Sequence, residues 1–454
     1  METRLEIAVS PEDDVEVRRL SVTNQSDQPR EIELTSYVEI ALASISEDFA
    51  HPAFGKLFIE TEWVQESSAL LARRRQRSAL DPALFAFHVL SIDGRMQAPV
   101  EWETDRMRFL GRGRGPDHPV ALDGRALSGT TGAVLDPILS LRTRLRLAPG
   151  AFARLSIATG VATDETAARA LVQKYHDPGV AARTFALAYT HAQVSLRHLG
   201  ISVEEAQLFE RLGSCVFFSD ASLRAEREIL GRSTLGQAGL WGNGISGDLP
   251  IVLVRVTEPD DLPLVRHVLM AQELWRLKGL KADAVILNEH PASYRDEMHG
   301  QLVELVEGGA WGAWKGKPGG VFLLRGDAMP EAERLLLHAV ARAVLSGERG
   351  DLEEQLDRPE PEPPLPVTVV PYEPLPDERP EAPVEPPALV MENGFGGFTR
   401  DGREYVVVLE GERETPLPWV NVLANPGFGS IVTSSGTAHT WCQNSRENRL
   451  TPFA

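Results

Sequence analysis

From Leu5 to Val161 the chain is a succession of short runs in which apolar and polar residues alternate, each closed by turn residues. Leu5-Glu-Ile-Ala-Val alternates, Val15 to Val22 is rich in β-branched residues, Asn24-Gln-Ser-Asp-Gln-Pro is a turn, and Ile32, Leu34, Ser36 and Val38 alternate again. Lys56 to Val64, Leu84 to Ser91, Ser140 to Leu147 and Ala153 to Val161 continue the pattern. Strands of this length and spacing predict a β-sandwich over residues 1–163. A first run that begins almost at Met1 predicts that N-terminal strands are missing.

The period changes after Asp164. Ala167, Ala168, Ala170, Leu171 and Tyr175 share a helical face, Asp177-Pro178 breaks it, and Ala181 to Leu199 predicts a second helix. Ser202 with Glu205 three residues on is a capping box for a third, running to about Leu212. Residues 164–235 are therefore expected to be linker helices. Over residues 236–350 buried-strand and helix signals alternate: Ile251 to Val256, Ala282 to Leu287 and Val321 to Leu324 as strands, with Asp261 to Lys278, Tyr294 to Val306 and Glu331 to Leu345 as helices. Continuous apolar strands between amphipathic helices predict βαβ units on a small parallel sheet.

Residues 351–389 are about a third proline and rich in Asp and Glu. Such a segment buries too little apolar area to offset its ordering entropy, which predicts an extended acidic linker. Residues 390–454 return to β character: Asp401-Gly402 is a hairpin turn before Tyr405 to Leu409, and Thr415 to Val422 and Asn425-Pro-Gly-Phe-Gly are short extended pieces between turns. The fold class expected is a multi-domain α+β chain: an incomplete β-sandwich, linker helices, a small α/β parallel-sheet domain, then the start of a second β-sandwich.

Three stretches in this order, NGFGGFTRDGREYVV, TPLPWVNVLANPGFG and TWCQNSRENRLTPF, resemble the amino-terminal β-sandwich of the glycoside hydrolase family 94 phosphorylases, once called glycosyltransferase family 36. These stretches resemble in particular the version found in cyclic β-1,2-glucan synthases, large bacterial inner-membrane proteins. VRRLSVTNQSDQPREIELTSYVEIAL, HPAFGKLFIETEW and TDRMRFLGRGRG, well upstream, also resemble the synthase sandwich. The resemblance therefore implies the end of one sandwich and the start of another, a duplication that the synthases have and the ordinary phosphorylases lack. It also places the helical barrel with the catalytic acid, and the glycosyltransferase module, outside these residues. The function implied is part of a synthase-type glycosyltransferase, binding or positioning a β-glucan chain. Its partners would be a β-glucan oligosaccharide or polysaccharide and the remaining synthase modules, and its location cytoplasmic, at the inner membrane through other parts of the protein. A stand-alone carbohydrate-binding or scaffold protein, and a spacer that positions a membrane-bound transferase, are the competing expectations.

Composition narrows this little further. The formal charge of −19 argues against a broad nucleic-acid-binding surface, because phosphate contacts need clustered Lys and Arg. Cys215 and Cys442 are the two cysteines, too few for a disulfide framework or a Cys-rich zinc site. No window approaches the roughly 20 apolar residues that cross a bilayer, so direct membrane insertion by this segment is not expected. Neither a carboxylate pair at catalytic spacing, a nucleophile with a base, nor a metal-ligand cluster emerges, and no catalytic residue, metal or cofactor is expected.

The candidate glycan contacts fall in two loops. Asn444-Ser-Arg-Glu-Asn-Arg offers directional groups for sugar hydroxyls, with Trp441 nearby as a stacking platform; the resemblance implies accessory contacts from Trp441, Asn444, Arg446, Glu447 and Asn448. The other reading pairs Arg446 with Glu447 as a brace. Trp241 and Asp248, in the glycine-rich segment from Leu240 to Pro250, could likewise stack on and accept from a sugar, or Asp248 could simply cap backbone amides. Asn288, Glu289 and His290 end a predicted parallel strand, where such sheets bind ligands, or form a local turn. Asp105, Arg106, Arg108, Arg112 and Arg114 could grip an anion or form a salt-bridged loop. An incomplete second sandwich exposes unpaired strand edges. A peptide of residues 391–454 alone is thus expected to be cut throughout by a nonspecific protease, and uniform resistance would contradict this.

Overall fold

The computed structural model describes residues 1–50, 52–78, 81–93, 99–218, 220–291, 297–357, 385–411 and 413–451. It divides into two units, Met1–His191 with Pro374–Ala454, and Ala192–Glu373. The first begins with eleven strands: β1 (Glu2–Val9), β2 (Val15–Thr23), β3 (Arg30–Thr35), β4 (Val38–Glu39), β5 (Ile59–Val64), β6 (Ala69–Arg74), β7 (Leu84–Asp93), β8 (Glu101–Asp105), β9 (Gly132–Ala133), β10 (Pro137–Leu147) and β11 (Phe152–Ala162). Among them lie the short helices α1 (Ile45–Ala50), α2 (Pro52–Lys56) and α3 (Arg106–Leu110), followed by α4 (Glu165–His176) and the 22-residue α5 (Pro178–Leu199).

A seven-stranded antiparallel sheet in the order β1-β2-β11-β7-β6-β5-β9 faces a smaller one built on β10, which pairs with β3, β4 and β8. Successive side chains on a strand point to opposite faces, and here both faces of the large sheet are covered. Leu70, Ala86, Leu90 and Leu155 pack toward Leu139, Leu141 and Leu145 of β10. Leu71, Phe87, Val89, Val15 and Val17 pack on the other side against Ala168, Val172 and Tyr175 of α4. This explains why β6 reads as a continuous apolar run. Asp13 fixes the helix in place, accepting from Lys174 Nζ at 2.6 Å and Tyr175 Oη at 2.8 Å. Burial opposes its charge, but these two donors hold its carboxyl below the usual range.

In the second unit α6 (Val203–Phe217), α7 (Arg227–Arg232), α8 (Leu262–Leu277), α9 (Glu297–Glu307), α10 (Glu331–Val340) and α11 (Leu352–Leu356) surround β12 (Ile251–Val256), β13 (Asp283–Asn288), β14 (Val321–Arg325) and β15 (Ala343–Ser346). The strands are parallel, in the order β14-β13-β12-β15. The capping box of Ser202 and Glu205 forms as expected. α6 joins this core: Phe209 is fully buried, and its carbonyl accepts from Trp275 Nε1 of α8 at 3.0 Å. The predicted helix from Glu331 to Leu345 ends instead at Val340. Ala343 to Ser346 become a fourth, wholly buried strand, because that apolar run completes the exposed edge of β12.

The chain then returns to the first unit with two three-stranded antiparallel sheets: β16 (Leu389–Val390), β17 (Gly396–Thr399) and β18 (Tyr405–Val407), then β19 (Val420–Asn425), β20 (Phe428–Thr433) and β21 (Ala438–Cys442). Gly402, at φ +70°, makes the tight turn between β17 and β18. Of the acidic linker expected over residues 351–389, residues 358–384 lie outside the described residues. No helix among the described residues is long and apolar enough to cross a membrane.

Asp283 opens β13 with its side chain fully buried. One carboxylate oxygen accepts from Gly319 N at 2.7 Å, the other has no hydrogen-bond partner, and burial, helped by Asp248, pushes its pKa up to about 6. Between the unfolded value near 3.9 and the folded one, the native state binds the extra proton, so stability falls as pH rises through this window. Asp283→Asn keeps an acceptor for Gly319 and removes the charge. It should leave stability near pH 4 unchanged and raise it at pH 7 by on the order of 2 kcal/mol, as read from urea midpoints across the range.

Candidate functional site

The five residues predicted at the C-terminal loop come together. β21 carries Trp441 opposite Gly429 of β20, and a Cβ at position 429 would lie 2.0 Å from the indole, so only glycine lets the ring lie across the strand. Beyond it the chain folds back on itself: Cys442 N donates to Asn448 O at 3.0 Å, and Asn444 Oδ1 accepts from the amides of Arg446 and Glu447, both at 2.9 Å. Arg446 and Glu447 pair with each other at 3.1 Å, both more than half exposed. Their charges are thus balanced within the loop, and Trp441 keeps part of its surface open.

Trp241 and Asp248 sit together in the other unit. Trp241 lies on a 3-10 turn, Gln237–Asn243, and is 63% exposed, with Nε1 donating to Ser246 O at 3.3 Å. Asp248 accepts from Gln237 Nε2 at 3.1 Å rather than from a backbone amide. At the carboxyl end of β13, Asn288 Oδ1 accepts from His290 N, the His290 ring meets Thr257 O at 2.6 Å, and Glu289 pairs with Arg255 at 2.7 Å. Those three residues form a locally bonded turn.

Sequence reasoning missed a concavity, a cleft of about 1140 Å³ within the first unit. It lies between the loop that follows β8, residues 105–135, and the segment at 411–418 with Ser435. Three alternate residues on one face of β8 shape it. Glu101 accepts from Leu127 N at 2.9 Å; Glu103, buried, accepts from Ser128 N at 3.3 Å and from the Ser128 hydroxyl; Asp105 caps α3 by accepting from Met107 N at 2.9 Å. Behind them Arg142 of β10 is fully buried, its guanidinium 3.2 Å from Glu33 and donating to the carbonyls of Ala121 at 2.5 Å and Arg125 at 2.7 Å. The carboxylates of β8 and one buried cation thus anchor the loop by its backbone, leaving its side chains to line the cleft.

The basic run of the sequence borders this cleft in compensated pairs. Arg108 faces Asp105 at 3.8 Å, Arg114 faces Asp123 at 2.7 Å, and Arg112 reaches across to Glu414 at 3.6 Å and donates to Gly411 O at 2.9 Å. Arg106 is turned away into a cluster with Glu39 and Asp136. Among the described residues no group of three or more His, Cys, Asp or Glu side chains is placed to hold a metal ion.

Comparison with known proteins matches residues 1–178 and 403–454 to the family described as Glycosyl hydrolase 94, supersandwich domain. The chain is similar to the cyclic beta-(1,2)-glucan synthase NdvB of Rhizobium meliloti (strain 1021), 35% identical over 462 aligned positions that take in 99% of this chain and 16% of that protein. It is also similar to solabiose phosphorylase of Paenibacillus borealis, 26% identical over 38% of this chain and 21% of that one. The chain thus spans about a fifth or less of the length of these relatives. Among solved structures, a polysaccharide lyase aligns with 37% of the chain at 15% identity and a TM-score of 0.22, too low to bear on the fold.

Removing the Arg142 side chain tests how the cleft is held. Arg142→Ala leaves Glu33 its pair with Arg144 at 2.9 Å but strips the carbonyls of Ala121 and Arg125 of their donors, which should cost roughly 1–3 kcal/mol for each. Denaturant unfolding should show that loss, and limited proteolysis should open first between residues 111 and 131. An unchanged cleavage pattern would mean that Glu101 and Glu103 hold the loop alone.

Proposed function

Because the chain belongs to the glycosyl hydrolase 94 supersandwich family, we propose that it is the supersandwich and adjoining α/β portion of a glycosyltransferase of the cyclic β-1,2-glucan synthase type. Its part there is to bind or position the β-glucan made by glucosyl transfer from a sugar nucleotide; bond making belongs to other modules. One observation carries this reading above the others. Similarity to the synthase extends over 99% of the chain and so includes the unit Ala192–Glu373, whereas the phosphorylase relative matches 38%. In this reading the protein lies on the cytoplasmic side of the inner membrane, held there by other parts of the polypeptide.

Trp441, Asn444, Arg446, Glu447 and Asn448, and separately Trp241 and Asp248, are proposed as accessory glycan contacts. Support comes from the open ring surface of both tryptophans, since an aromatic face covers the apolar C–H side of a pyranose while neighbouring carboxylate and amide groups meet its hydroxyls. The hydrogen bonds already spent inside both loops favour stacking over a dense polar network.

The deciding experiment is to read the coding sequence on both sides of this chain. Transmembrane segments and a glycosyltransferase module on one side, with a helical barrel on the other, are expected. Unrelated genes with their own control signals would overturn the synthase reading and leave a stand-alone protein.

A further inference from the structure

We infer that the cleft between the loop after β8 and residues 411–418 is a binding site for a neutral oligosaccharide, the glucan chain itself if the synthase reading holds. The inference rests on that reading for the identity of the sugar, and on the cleft alone for the class of ligand.

Size comes first. At about 1140 Å³ the cleft exceeds the ~300–1000 Å³ range of ordinary small-molecule pockets, and suits an oligomer better than a single small metabolite. Charge comes second. An anion site presents arginines whose charge the protein leaves uncompensated. Here Arg108, Arg112 and Arg114 each have a carboxylate partner, in Asp105, Glu414 and Asp123. Arg125 also lines the cleft, and the carboxylates of Glu103, Asp105, Asp123 and Glu414 balance the four arginines, so the walls carry strong donors and strong acceptors side by side with little net field. That combination discriminates against phosphate and favours groups that both donate and accept, which are hydroxyls.

Third is the order of the lining. Ser128 and Thr130 hydroxyls, 2.7 Å apart, sit on one wall, where the Ser128 hydroxyl is oriented by Glu103. Leu135, Pro416, Leu417 and Pro418 provide an apolar strip that a sugar ring can cover with its C–H face. Ion pairs and hydroxyls share the lining with this apolar strip, so a ligand meets both hydrogen-bonding groups and apolar surface. That balance is suited to a hydrated chain that exchanges as it is extended.

The test is calorimetric titration of the whole chain with linear β-1,2-linked gluco-oligosaccharides of increasing length, and with UDP-glucose as the anionic competitor. Thr131→Trp and Leu417→Asp place bulk and charge on the two exposed walls without touching a buried side chain. Tyr189→Ala, at an exposed position of α5 with no proposed binding role, serves as the comparison. Circular dichroism and thermal transitions confirm that each variant is folded. Expected are oligosaccharide binding that tightens with length and does not change with salt, a loss of about tenfold or more in both wall variants, and little change in Tyr189→Ala. Full retention of binding in both wall variants would overturn the cleft assignment and leave the synthase reading intact. So would failure of the native chain to bind any neutral oligosaccharide, since the flanking coding sequence decides the synthase reading independently. Preferential, steeply salt-dependent binding of UDP-glucose would replace the neutral ligand by an anionic one.

Discussion

A guanidinium with no exposure to solvent constrains the first unit more than any other single group. Arg142 sits on β10 beneath the loop after β8, and a buried cation must find both a counter-charge and acceptors for its N–H groups. Glu33 of β3 supplies the first, Thr35 accepts from Nε at 2.9 Å, and the carbonyls of Ala121 and Arg125 take the outer nitrogens. Apolar side chains of similar volume could fill the same space with equal stability. What the planar fork adds is direction, since its N–H vectors fix where two loop carbonyls must lie. A long irregular loop thereby acquires a defined path over the small sheet.

The large sheet supplies the rigidity that makes such a loop useful. With Leu70 facing β10 and Leu71 facing α4, neither face of β6 is free to move without opening a cavity. Gln272 plays a comparable part in the other unit, donating to the carbonyls of Ala282 at 2.8 Å and Gly320 at 2.7 Å, and so tying α8 to the start of β13 and the approach to β14. In each unit a buried polar side chain on a regular element pins irregular backbone.

Regular elements were legible because their signals are local. The β-branched run of β2, the capping box of α6 and the Asp401-Gly402 turn all appear where the residues place them. The strand β15 was hidden, since Leu335 to Leu345 is a near-continuous apolar run with no Gly or Pro to mark where helix gives way to strand. Only the vacancy beside β12 decides that. β8 was hidden for a different reason: it carries carboxylates at Glu101, Glu103 and Asp105 where a strand signal needs apolar residues, and Glu103 is buried and committed to the loop. The polar C-terminal loop and the Trp241 loop were legible as compact units, but not their internal bonding, which consumes much of the hydrogen-bonding capacity that made them attractive.

The cleft could not be read from sequence because it depends on a contact between residues roughly three hundred positions apart. Arg112 meets Glu414 and Gly411 O only after the chain has passed through the entire α/β unit and returned. Both walls fall inside the two stretches that match the family, 1–178 and 403–454, while the intervening residues contribute nothing to the lining. The two matched stretches are thus halves of one surface, and neither makes the cleft alone. A substitution at Glu414 would then release Arg112, uncover an unpaired cation on the opposite wall, and change the site from one that ignores charge to one that seeks anions.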